Sequence, residues 1–331
     1  MIISKTPYRI SFFGGGSDYP EWYLNNGGEV ISATINKYVY ITCRNLPPFF
    51  SHKHRIVYSK TEYVKKICKI KHPAFRECLN LFKKKISTES GLEIHYDGDL
   101  PSKSGMGSSS AFVVGLINLL NHFYLCKSSK KDLLNKSLFL EQKLLNESVG
   151  SQDQAIAVYG GFNSIKFYSN GNIKTRTLIK DPKTLNKFSS CFFLVFTGIK
   201  RTASSIAGTY INSLNNRNKS NIYEILNHVK IAKELISKKQ FNDFGLLLNE
   251  TWMIKRSLSN IISTEKVNFI YKKGIASGAI GGKLLGAGGG GFFLFYVPQE
   301  NQNSFIKNMK DFIISKFKFE LNGSEIIFDN R

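Results

Sequence analysis

The chain is most tightly constrained where glycine and small hydroxylated residues crowd ahead of an apolar run. Residues 100–112 read Leu-Pro-Ser-Lys-Ser-Gly-Met-Gly-Ser-Ser-Ser-Ala-Phe, and the apolar stretch 111–120 follows at once. Gly105 and Gly107 permit a tight turn and let backbone approach a ligand with no Cβ in the way. Ser108, Ser109 and Ser110 are good helix N-cap residues, so a helix is expected to begin among them. A helix start presents unpaired N–H groups and a partial positive charge, which suits a phosphate. The Lys-Ser/Thr pair that closes a Walker A loop is absent. Two readings stand here: a phosphate cradle, or a plain Gly/Ser cap on a buried helix.

Two further glycine clusters flank this one. Residues 2–13 read as a strand that ends in Gly14-Gly15-Gly16-Ser17-Asp18-Tyr19-Pro20, a turn that faces its surroundings with backbone. Asp18 is either an acceptor for sugar or polyol hydroxyls or the cap of an Asx turn. Arg9 lies inside the strand, a costly place unless an acid meets it. Residues 283–296 form a glycine run feeding an apolar strand. Four consecutive glycines exceed what a hairpin turn needs, which points to close packing against a ligand-bearing loop.

Acids in unusual positions complete the pattern. A helix is expected over 130–147, with Leu133, Leu134, Leu138, Leu140, Leu144 and Leu145 on one arc and Glu141 in its middle. A carboxylate on a buried stripe must be a metal ligand or the partner of a cation or donor. Asp153 follows in Gly150-Ser151-Gln152-Asp153-Gln154, at a helix start, where an N-cap is the plain alternative.

At 331 residues the chain is long for one core, so two domains are expected, 1–180 and 188–331, joined by a charged linker over 180–187. Strands are expected near 30–44, 55–58 and 92–96, a hairpin over 162–179 around Ser169-Asn170-Gly171-Asn172, and a basic amphipathic helical region over 65–85. The second half runs strand 191–197, helices, the glycine-fed strand, helix 303–314 and strand 325–329, a split βαβ order of ferredoxin type. The net charge of +22 is spread over scattered lysines, so anionic small ligands are expected rather than nucleic acid. No apolar run is long enough for a membrane span and no signal peptide opens the chain. With five cysteines and no C-x-x-C pair, reduced thiols and a cytoplasmic location are expected.

Taken together, Pro7 to Asp18, the 100–111 loop and 283–292 resemble the motifs of the GHMP kinase superfamily, across nearly the whole chain. The Gly-Gly-Gly-Ser-Asp-Tyr-Pro and Gly-Ser-Gln-Asp-Gln stretches are most similar to the D-glycero-D-manno-heptose 7-phosphate kinases, with L-fucokinases next. The resemblance implies an α+β, two-domain fold, the first domain like ribosomal protein S5 domain 2 and the second ferredoxin-like. It implies an ATP- and Mg²⁺-dependent sugar-1-kinase, a monomer or homodimer. On the matching positions, Asp153 is the catalytic aspartate that takes the sugar hydroxyl proton, and Arg9 is its partner. Ser104, Gly105, Met106, Gly107, Ser108, Ser109 and Ser110 hold ATP, and Ser109, or a neighbouring serine, binds the metal with Glu141. Gly15, Gly16, Ser17 and Asp18 meet the sugar, and the adenine lies near Val57, Tyr58 and Ser59. Arg201, at a predicted helix start beside Lys200 and Thr202, is the cation expected for a substrate phosphate, ahead of Lys255, Arg256 and Lys283.

Overall fold

The computed structural model describes residues 1–86, 90–199, 208, 211 and 214–331. Two sheets carry the fold. The larger is built on β1 (Ile2–Phe13) and the long, bent β2 (Gly28–Leu46), paired antiparallel. Beyond β2 lie β5 (Gly91–Gly98), β3 (His54–Val57) and the edge strand β4 (Thr61–Val64). The hairpin of β6 (Phe162–Phe167) and β7 (Ile173–Thr177) also pairs with β2, turning at the expected Ser-Asn-Gly-Asn with Gly171 at φ 82°.

The smaller sheet holds β8 (Phe192–Phe196), β9 (Gly281–Leu284), β10 (Phe292–Tyr296) and β11 (Ile314–Ser315). Its spatial order is β11-β8-β10-β9, so its fourth, first, third and second strands lie side by side, and every pairing is antiparallel. That is the ferredoxin-like order expected from the sequence. The final strands depart from expectation. β12 (Phe319–Glu320) pairs with β2 and β13 (Glu325–Asp329) pairs with β1, so the end of the chain returns to the larger sheet. Short β11 closes the smaller sheet in place of 325–329. The division at 180 and 188 is kept as a proposal about the chain, with these last strands completing the first sheet.

Helices cover the sheets: α1 (Pro20–Asn26), α2 (Pro73–Leu81), α3 (Ser108–Phe123), α4 (Lys130–Phe139), α5 (Gln152–Tyr159) and α6 (Pro182–Ser189). They are followed by α7 (Lys219–Ser237), α8 (Phe241–Ser257), α9 (Glu265–Ala276) and α10 (Gln302–Asn308). The helical region expected over 65–85 shrinks to α2 flanked by 3-10 turns, because Pro73 fixes where the helix can start. α3 is buried along most of its length and lies on β1, where a Cβ on Gly115 would stand 2.7 Å from the Thr6 hydroxyl. This close approach fixes the axis of α3, and hence the place of its N-terminus.

The helix expected over 130–147 also differs. α4 ends at Phe139 behind its Ser129–Asp132 capping box, and a single π-turn, Leu140–Leu144, follows. The wider turn breaks the 100° projection: Leu144 swings out to 40% exposure while Glu141 is fully buried. The stretch expected as a linker is α6, capped by Asp181, with Leu185 and Phe188 buried. Of the five cysteines, all free thiols, Cys43 and Cys78 are buried and Cys68 is exposed.

Phe188 sits where the two sheets meet. Its ring lies 5.0 Å from both Phe192 and Phe244, and Phe12 of β1 lies 5.3 Å from Phe162 and from Phe192. Truncating a buried aromatic of this kind removes its transfer free energy and leaves a cavity. Phe188→Ala is expected to cost about 3–5 kcal/mol in urea unfolding; a loss below about 1 kcal/mol would show that the seam between the sheets does not depend on it.

Candidate active site

The first turn of α5 presents three polar side chains in succession, and each meets a different element. Helical residues point about 100° apart, so neighbours fan out rather than share a face. Gln152 donates from Nε2 to Asp18 Oδ2 at 2.9 Å. Asp153 receives Arg9 of β1 in a bidentate pair, Nε to Oδ1 and Nη2 to Oδ2, both at 2.6 Å. Gln154 donates to Glu141 Oε2 at 2.5 Å. The acid that Arg9 required is thus Asp153, and the donor that Glu141 required is Gln154.

Arg9 continues into the serine-rich loop. Its Nη1 donates to the Gly105 carbonyl at 2.6 Å, and its backbone N–H donates to the Met106 carbonyl at 3.2 Å. The helix then starts after Gly107, which adopts a left-handed φ of 71° as the N-cap; the serines that follow occupy the first turn and do not cap it. Gly107 cannot carry a side chain easily, since a Cβ there would stand 3.0 Å from Arg9 Cγ and 3.3 Å from Asp153 Oδ2.

The third glycine loop closes over the second. A Cβ on Gly286 would lie 2.6 Å from Gly105 Cα, and one on Gly291 would lie 2.1 Å from the Ser104 carbonyl oxygen. The Phe292 N–H donates to that same oxygen at 3.2 Å. Lys255 of α8 donates to the Leu284 and Gly286 carbonyls at 2.9 and 2.5 Å, bracing the loop from behind. The close packing expected of the four glycines is therefore backbone against backbone.

One cavity gathers these parts. Gly105, Gly107, Ser108, Ser109 and Ser110 line it on one side, Gly15, Gly16 and Asp18 on another, and Arg9, Asp153 and Lys283 also face it. Ser17, Ser104 and Met106 do not line it and are fully buried beneath its wall; the Ser17 hydroxyl donates to the Gly14 carbonyl at 2.8 Å. Glu141 lies behind Ser110, whose side chain hydrogen-bonds to it. Val57, Tyr58 and Ser59 lie outside the lining, and Tyr58 donates instead to Glu62 at 2.9 Å. Arg201, with Lys200 and Thr202, lies outside the described residues. The clamping roles of Gln152 and Gln154 were missed in the sequence; their signal was the alternation of amides around Asp153.

Burial sets the electrostatics. It raises Asp18 to about 6, helped by the nearby charge of Asp153 and opposed by the Gly16 N–H, which donates at 3.0 Å, and by Gln152. It raises Glu141 to about 7, opposed by Gln154 and Ser110. It lowers Lys283 to about 7, with the Arg9 charge acting in the same direction and Asp18 against it. Glu141 Oε1 has no hydrogen-bond partner among the described residues. A folded acid whose pKa exceeds its unfolded value binds extra protons, so stability is present at low pH and lost as pH rises through the folded value. For Glu141 that window runs from about 4.5 to 7. Glu141→Gln is expected to be more stable than the parent at pH 8 by on the order of 3 kcal/mol, the gap closing below pH 4. Thermal unfolding from pH 4 to 8 measures it, and a gap independent of pH would contradict the assignment.

Comparison with known proteins points to kinases. Residues 64–161 match the model of the GHMP kinases N terminal domain. The chain is 27% identical over 320 residues to a D-glycero-alpha-D-manno-heptose 7-phosphate kinase of Campylobacter jejuni, covering 93% of each chain. It is 25% identical over 342 residues to an L-fucokinase/L-fucose-1-P guanylyltransferase of Bacteroides fragilis, covering 91% of this chain and 35% of that one. A crystal structure of a D-glycero-D-manno-heptose 1-phosphate kinase from Bacteroides thetaiotaomicron superposes over 100% of both chains with a TM-score of 0.79 at 22% identity, a likeness of fold. With the α+β architecture and the three glycine motifs in agreement, the chain carries a GHMP kinases N-terminal domain over residues 64–161 and is similar over nearly its whole length to sugar kinases, which are phosphotransferases.

Proposed function

We propose that this sugar kinase uses ATP to phosphorylate the anomeric hydroxyl of D-glycero-D-manno-heptose 7-phosphate, giving the 1,7-bisphosphate. The observation that carries the reading is the bidentate Arg9–Asp153 pair, held against the Gly105 carbonyl inside the cavity lined by the serine-rich helix start. Phosphoryl transfer needs in-line placement and neutralisation of spreading negative charge more than covalent chemistry. Backbone N–H groups over Gly105–Ser110 and the start of α3 face where the β- and γ-phosphates would lie. Asp153 accepts the proton of the attacking hydroxyl, a contribution of about 10²–10⁴-fold, and Arg9 fixes which way its oxygens point. Asp18, held by the Gly16 N–H and Gln152, accepts from the sugar hydroxyls on the Gly15–Gly16 side of the cavity.

The donor set also fits Mg²⁺. The buried, unpartnered Oε1 of Glu141 and the hydroxyls of Ser109 and Ser110 are hard oxygen ligands, and Mg²⁺ is commonly held by one or two carboxylates plus substrate phosphates. These oxygens would hold the ion, which would neutralise phosphate charge. Arg201 is kept for the 7-phosphate on its sequence position alone.

The Campylobacter relative supports the heptose, and the 25% identity with the Bacteroides fragilis protein supports a second reading, L-fucose. ADP release is to be compared with heptose 7-phosphate, L-fucose and mannose as acceptors. Heptose 7-phosphate is expected to lead by at least about 100-fold in kcat/KM. A lead for L-fucose would install the second reading, and no sugar-dependent release would remove both. Asp153→Asn is expected to lower kcat by at least about 100-fold while ATP still binds; near-normal kcat would remove the base role.

A further inference from the structure

Lys283, at the third position of β9, is a lysine with only 4% of its surface exposed. Its Nζ donates to the Phe12 carbonyl at 2.5 Å and forms no ion pair among the described residues. A buried amine without a counter-charge is costly to ionise, and an arriving anion would supply the missing charge. The geometry names the place. Phe12 is the second residue before Gly14, so the bond ties β9 of the smaller sheet to the root of the Gly14–Gly16 turn. Lys283 faces the same cavity as Asp18, Asp153 and the serine-rich loop.

The charges around it are unevenly shared. Arg9 is committed to Asp153 and the Gly105 carbonyl, Lys255 to the carbonyls of the third glycine loop, and Asp18 to Gly16 and Gln152. We propose that Lys283 is a further catalytic residue of the phosphotransfer site, a buried amine that takes up a proton from solvent as the anionic phosphoryl donor enters and then stabilises negative charge at the reacting oxygens beside Asp18. The inference rests on the kinase reading of the cavity. The empty site favours the neutral amine through burial and the Arg9 charge. A bound polyphosphate supplies the opposite field and restores the ammonium, which then offers two N–H donors besides the one on Phe12.

Calorimetry of Mg²⁺ with the non-hydrolysable ATP analogue AMP-PNP, at pH 8 in two buffers of different ionisation enthalpy, counts the protons taken up on binding. At that pH Asp18 and Glu141 contribute little, because both lie mostly ionised. Wild-type enzyme is expected to take up a net fraction of a proton. Lys283→Gln, whose amide can still donate to the Phe12 carbonyl, and Lys283→Arg, which is always charged, are expected to take up none. In turnover, Lys283→Gln is expected to lose at least about 100-fold in kcat and to raise the ATP KM severalfold, because proton uptake on binding and nucleotide affinity are linked, and Lys283→Arg to recover at least a tenth of the wild-type rate. Binding of AMP-PNP without proton uptake by wild type would overturn the proposal, as would a Gln variant with wild-type kcat. The kinase reading itself fails separately, if wild-type enzyme releases no ADP with any acceptor.

Discussion

The pairing of Arg9 with Asp153 is the contact on which the other parts of the site depend. It joins the interior of a central strand to the first turn of a short helix, and through the Gly105 carbonyl it also fixes the turn that launches α3. Both ends are anchored: Arg9 lies where β1 pairs with β2, opposite Thr34, and α5 follows a backbone bond from Ser151 to the Asp18 carbonyl at 2.8 Å. A planar guanidinium that meets a carboxylate with two parallel bonds transmits orientation as well as charge. Lysine at position 9 would supply the charge without the plane.

Around that pair the molecule keeps several ionisable groups out of water without pairing each with an opposite charge. Asp18 and Glu141 are held by amides from Gln152 and Gln154, and Lys283 by a carbonyl. Neutral hydrogen-bonding partners offset only part of the cost of burial, so all three are displaced toward their uncharged forms. A site arranged in this way is electrically incomplete when empty. Under the proposed function a polyanion and a divalent cation would together supply what is missing, so the same cavity would be costly to fold and effective when filled.

Much of this was legible in the residues because it rests on local rules. The three glycine motifs, the buried arginine in a strand and the acid on an apolar stripe each break an ordinary pattern, and each marks a part of the site. The ferredoxin-like order of the smaller sheet followed from element order. Part of what escaped was non-local. Nothing near residues 319–329 announces that they will pair with β1 and β2 across the whole length of the chain. The π-turn at Leu140–Leu144 left no mark in a pattern read at a fixed 100°, and it is the reason Leu144 is outside while Glu141 is inside. Residues 180–187 looked like a linker because they are charged, but Asp181, Pro182 and the buried pair Leu185 and Phe188 form a capped helix.

The contact between Gly105 and Gly286 has a bearing on how such an enzyme can diversify. Two loops from different sheets meet there with no side chain between them, so neither offers a surface that selection can reshape one residue at a time. Novelty in acceptor choice has to be written elsewhere on the cavity wall, in positions that do have side chains to exchange. A chimera that imports only one of the two loops from a distant homologue inherits half of a backbone fit, and the mating half must travel with it.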